Sequence, residues 1–106
     1  VIDELAAALE DHRATPFPSP AVRRGADYGS VCAVMIDANI YFLSKAVADG
    51  HTLPDQQWDF LADCEARLQD SLSEFPEAGR PYYERLLRIA DLAFKRMKER
   101  ADARLP

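Results

Sequence analysis

Histidine is scarce in this chain. His12 and His51 are the only two, and neither follows an acidic residue by three positions. Helical bundles that hold carboxylate-bridged metals need Glu-x-x-His on paired helices, because that spacing turns both ligands inward. No metal site is therefore expected, and no cofactor is assigned. Cysteine is equally sparse: Cys32 and Cys64 both fall within segments of helical period, on the apolar side, where a free thiol behaves as a small hydrophobe. Two buried reduced thiols fit a reducing, cytoplasmic setting. Glycine numbers four, and Gly25-Ala26-Asp27-Tyr28-Gly29 lacks the lysine that a phosphate-cradling loop places after its glycines. Long hydrophobic runs are missing too. The longest, Val31 to Ile36, falls far short of the roughly 20 residues that cross a bilayer, and no basic region followed by an apolar core marks a signal peptide. Cys32 and Cys64 have no histidine nearby in sequence, and no paired carboxylates occupy contrasting environments, so nucleophilic and general acid–base catalysis are not expected.

What is present is ordinary globular material: 106 residues, 48% hydrophobic and 29% charged, read as one domain over 1–106. The chain opens on Val1 rather than Met, as a piece of a longer protein would. Its net charge of −5 disfavours a nucleic-acid binder, whose affinity rests on clustered Lys and Arg. The charge is uneven. Residues 1–75 carry 13 acids against 5 bases, whereas residues 82–106 carry 4 acids against 7 bases. An acidic body with a basic last helix either clamps onto itself or docks on an acidic partner.

Sustained alternation of apolar and polar residues is absent, and β-branched residues thin out beyond Val31–Ile40. The chain is therefore read as all-α, an antiparallel bundle. Three core helices are expected at about 27–49, 53–75 and 81–101. A short N-terminal helix at about 1–13 either packs across them or completes a four-helix bundle. Val1, Ile2, Leu5 and Leu9 share one face of that first helix, with His12 at its rim. Thr15-Pro16-Phe17-Pro18-Ser19-Pro20 forces an extended connector, and Phe17 is expected to peg it to the bundle. The second helix is expected to open near Asp27 as N-cap and to end at Gly50, with His51 supplying a favourable cation there. Thr52-Leu53-Pro54-Asp55 reads as the cap of the third helix, whose apolar face is Phe60, Leu61, Cys64, Leu68, Leu72 and Phe75. Pro81 opens the fourth, on which Leu92 is expected to face outward.

The second helix carries the functional expectation. On a wheel of about 100° per residue, Cys32, Met35, Ile36, Asn39, Leu43, Ala46 and Val47 form one face. Asn39 sits near its centre, either fixing register as a core Asn does or lining a pocket. Asp37 joins Ser30, Tyr41 and Ser44 on the opposite side, a stripe too apolar for solvent and too polar for a dry core. Either the N-terminal arm covers it or another chain does. Tyr82 and Tyr83 follow Pro81 and read as packing residues or as phenols at a pocket rim.

The expected function is a non-enzymatic helical protein–protein interaction module of adaptor, regulatory or immunity type. It would act through an acidic surface and the half-polar stripe of the second helix, on a protein partner or a second copy. The alternative is a small-molecule-binding bundle whose pocket is lined by Asn39, Tyr41, Tyr82 and Tyr83.

Overall fold

The computed structural model describes residues 3–103. Val1 and Ile2 of the expected first apolar face, and Arg104 of the basic tail, lie outside the described residues. Four helices pack against one another: α1 (Glu4–Ala14), α2 (Ala33–Ala48), α3 (Asp55–Ser71) and α4 (Arg80–Ala103). A two-residue hairpin, β1 (Asp27–Tyr28) with β2 (Val31–Cys32), precedes α2. Short 3-10 turns at Leu72–Glu74 and Glu77–Gly79 join α3 to α4. The all-α bundle expected from the sequence is the fold observed.

Asp3 starts α1 by accepting the Ala6 N–H at 3.0 Å, which satisfies one of the four donors that an α-helix leaves free at its start. Leu5, Leu9 and His12, spaced by four and three residues, then form the buried face of α1. That face sits against both α2 and α4, so α1 completes a four-helix bundle. The Pro-rich arm that follows lies on the bundle surface and sends one side chain into the core. Val22 is fully buried, and its methyl group lies where a Cβ on Gly79 would have to be. Phe17 is half-buried, edge-on to Tyr82 at 5.8 Å, with the Arg24 guanidinium over its ring at 4.7 Å.

The second helix starts at Ala33, five residues later than the Asp27 cap would place it. Gly29 has φ +60°, and a glycine followed by an ordinary residue in a two-residue loop is the pattern of a type II′ hairpin turn. Tyr28 stacks on Phe75 at 4.7 Å and accepts the Arg23 N–H at 3.0 Å. These anchors hold residues 27–32 extended, so Cys32 belongs to a strand rather than to a helical face.

The other end of α2 follows the sequence closely. Gly50, at φ +98°, donates to Val47 O at 3.1 Å while the His51 N–H donates to Ala46 O at 3.0 Å, a Schellman motif. The cation at this terminus, however, is not His51, whose side chain is exposed. It is Arg100 of α4, which donates to Val47 O at 2.9 Å and His51 O at 3.3 Å.

Thr52 likewise does not cap α3. Pro54 occupies the cap position in an extended conformation without a side-chain cap, while the buried Leu53 ties this loop to the core. From α3 the core takes Leu61, Cys64 and Leu68; Phe60, expected inside, is 46% exposed. From α4 it takes Tyr83, Leu86, Ile89, Ala90 and Ala93. Leu92, expected to face outward, is half-buried against that cluster. Both cysteines are free thiols, and burial raises the pKa of Cys64.

Candidate functional site

The face of α2 that enters the core is Ala33, Ile36, Ile40, Ser44 and Val47. Two flanks border it. One carries Asp37, Tyr41 and Ala48 and turns toward α1 and α4. The other carries Asn39, Leu43 and Ala46 and turns toward α3. The sequence wheel was centred on the second flank, which rotates the helix by roughly a quarter turn from its observed position. The cause is composition: a helix apolar on nearly every side offers a hydrophobic wheel no unique direction.

Asp37 is the centre of the first flank. Its Oδ2 accepts the Tyr82 hydroxyl at 2.6 Å, and its Oδ1 lies 2.7 Å from His12 Nε2. His12 is 4% exposed and the Asp37 side chain 18%. The carboxylate has no hydrogen to give, so His12 donates from Nε2. His12 Nδ1 is then turned into the interior, where none of the described residues partners it. The imidazole leans on the Tyr82 ring at 4.5 Å and on Tyr41 at 6.0 Å. Burial first, and then the hydrogen bond to Asp37, raise the pKa of Tyr82. Three helices thus meet at one carboxylate. The arrangement resembles a catalytic histidine held by a carboxylate only on paper, because Nδ1 is sealed from any substrate.

The remaining residues of the expected stripe separate. Ser30 lies in the hairpin turn and is tied to Ser71 at the end of α3, whose Oγ accepts the Ser30 N–H at 3.0 Å. Ser44 is fully buried, with no hydrogen-bond partner for its Oγ among the described residues. Tyr83 is fully buried and donates to Ala33 O at 2.9 Å, which satisfies its hydroxyl and ties α4 to the start of α2. Asn39, expected near the centre of the core face, is half-buried on the opposite flank from Tyr41. The structure therefore does not gather Asn39 and the tyrosines into one pocket. The half-polar stripe is covered from within the chain, by α1 and α4.

What lies open is the outer side of α2. Met35 and Phe42 recur there at a spacing of seven; Met35 is 55% exposed and Phe42, edge-on to Tyr41 at 5.6 Å, is 68% exposed. Phe60 of α3, 46% exposed, precedes the buried Leu61 and lies on the side of α3 away from Trp58, which packs on α4. Exposed Asp59 and Asp63 border Phe60, the latter paired with Arg67 at 2.9 Å. Met35, Phe42 and Phe60 are the large apolar side chains that the described residues leave exposed, and exposure of that size is what marks a candidate contact surface.

The basic residues of α4 turn mostly inward along the chain. Arg96 pairs with Asp3 at 2.5 Å, Arg85 donates to Thr15 Oγ1 at 2.6 Å, and Arg100 caps α2. Of the two roles open to the basic last helix, clamping the chain onto itself is the one these contacts perform. Among the described residues no helix is long and apolar enough to cross a membrane, and no group of His, Cys, Asp and Glu side chains is arranged to hold a metal ion. In comparisons with protein-family models, curated proteins and solved structures, nothing matches this chain.

Proposed function

We propose that the protein is a non-enzymatic helical interaction module that docks a protein partner through Met35, Phe42 and Phe60. The observation that carries this reading is the exposure of Met35 and Phe42 on α2 and of Phe60 on α3, whereas the other large apolar side chains of the described residues are enclosed. Aromatic and methionine side chains are the residues that fill partner pockets at interfaces. Their acidic surround, with Asp59 and Asp63 exposed on α3, favours a partner whose own apolar contact is ringed by Lys and Arg. Such charge complementarity speeds encounter and is weakened by salt. The proposed interaction surface is thus displaced from the Asp37 stripe to the exposed side of the same helix that carries Met35 and Phe42.

The test is a matched pair of proteins. The native chain should run in size-exclusion with light scattering above its monomer mass of 11.9 kDa, or retain a defined partner at low salt. Met35→Glu combined with Phe42→Glu should lose that association while keeping the same helical circular dichroism. A native chain that is strictly monomeric and retains nothing the double variant loses would refute the module.

A further inference from the structure

At the opposite end of the bundle from the Asp37 cluster, the start of α3 and the end of α4 enclose a cleft of about 520 Å³. This lies inside the range of about 300–1,000 Å³ typical of small-molecule sites. Its floor is apolar. Trp58 stands edge-on to Phe94 at 4.9 Å, and Leu53 and Met97 continue the surface. Its rim is cationic. Lys95, Lys98 and Arg100 all line it, against the single carboxylate of Asp55, in a chain whose net charge is −5.

The three cations are not equally engaged. Arg100 is held by the carbonyls of Val47 and His51, which fixes its position without neutralising its charge. Lys95 reaches Asp91 at 3.6 Å in an exposed pair, an arrangement that solvent screens to little strength. Lys98 has neither an ion pair nor a side-chain hydrogen bond among the described residues. An aromatic floor would also attract a cation through its ring faces, but three positive charges at the rim oppose one.

We propose that this cleft binds a small amphiphilic carboxylate, with its apolar body against Trp58 and Phe94 and its carboxylate between Lys95 and Lys98. The site is separate from Met35, Phe42 and Phe60 and does not depend on them.

Trp58 is the chain's single tryptophan, so its emission reports on the cleft directly. Titrating the full chain with dodecanoate, below the concentration at which it forms micelles, should shift that emission saturably with one ligand per chain. Dodecyltrimethylammonium, which has the same tail and the opposite head charge, should bind at least tenfold more weakly. Lys98→Glu should weaken dodecanoate at least fivefold. Ala101→Phe, a substitution at an exposed helical position that lines the cleft, should abolish the response while circular dichroism stays native. Equal responses to the two head groups would show apolar adsorption alone and overturn the proposal. A non-saturable change, or none, would overturn it as well.

Discussion

Tyr82 donates its hydroxyl hydrogen to Asp37 Oδ2 at 2.6 Å, while the other oxygen of that carboxylate faces His12 Nε2 at 2.7 Å. The acid that interrupts the most apolar stretch of the chain is therefore the point where α1, α2 and α4 are joined. Removing one member of such a cluster leaves the others desolvated and unpaired, whereas replacing every member with apolar groups of similar shape does not. Asp37→Ala is expected to cost about 3 kcal/mol in urea unfolding. The triple variant His12→Leu, Asp37→Leu, Tyr82→Phe should be more stable than Asp37→Ala by at least about 1 kcal/mol. A cost below about 0.5 kcal/mol for Asp37→Ala, the scale of an ordinary surface change, would show that the cluster holds nothing together.

The phenols set the alkaline limit. Burial is the main cause that raises the pKa of Tyr82 and Tyr83, followed by the hydrogen bond to Asp37 for Tyr82 and by the Asp37 charge for Tyr83. The folded chain holds these two protons more tightly than the unfolded chain does. Their stabilisation is therefore complete below the unfolded value near 10 and is lost as pH climbs above it. Each contributes a slope of up to about 1.4 kcal/mol per pH unit in that window. Urea midpoints from pH 9 to 11 should fall less steeply in Tyr82→Phe than in the native chain; parallel curves would contradict the assignment.

Gly79 and Val22 are packed too closely for a side chain at position 79. A Cβ there would collide with a methyl of the fully buried Val22, and overpacking of this kind costs about 1–3 kcal/mol. Gly79→Ala should destabilise by that amount, and adding Val22→Ala should recover part of it. Full additivity in the double-mutant cycle would mean that the two positions do not touch.

Asp3 gives the acid-side counterpart. Its pKa is lowered, chiefly by the Ala6 N–H; burial opposes this as the next-largest effect, and the Arg96 hydrogen bond and charge add to the lowering. A lowered carboxylate stabilises the fold above its unfolded value near 4, and that stabilisation is lost as pH falls through the folded value. Asp3→Ala should cost about 1 kcal/mol at neutral pH, the usual cost of a lost N-cap. The difference from the native chain should shrink toward pH 2 in thermal melts; a difference that does not change with pH would remove the charge from the account.

Helix number, the buried Leu61, Cys64 and Leu68 of α3 and the Gly50 terminus were legible because each rests on local chemistry: a 3.6-residue period, or a residue that tolerates positive φ; the same period misplaced Phe60, which is exposed, and carried the helix to Phe75 although it ends at Ser71. The phase of α2 was not legible, since Met35, Phe42, Ile36 and Ile40 surround that helix with apolar side chains and its direction is set by what packs on it. The start of α2 was missed because the Gly29-Ser30 turn gains its anchors from Phe75 and Ser71, more than 40 residues away. The pairing of His12 with Asp37 did leave a trace. Leu5, Leu9 and His12 share the spacing of a buried stripe, so a histidine read as a rim residue completes a core face, and Asp37 was the one acid in the chain's most apolar segment.

Val22 and His12 have a consequence for the order in which the chain assembles. Their partners, Gly79, Tyr82 and Asp37, come later in the sequence, and Thr15 and Asp3 likewise wait for Arg85 and Arg96. Residues 3–26 can reach α2 through His12 and Asp37, but the rest of their native docking surface is missing until Gly79 and α4 exist. A chain emerging N-terminus first therefore holds Val22, Asp3 and Thr15 without their partners until the end of the sequence is made. Such distant contacts slow closure without weakening the finished structure, and they make the final helix the element on which the placement of the first depends.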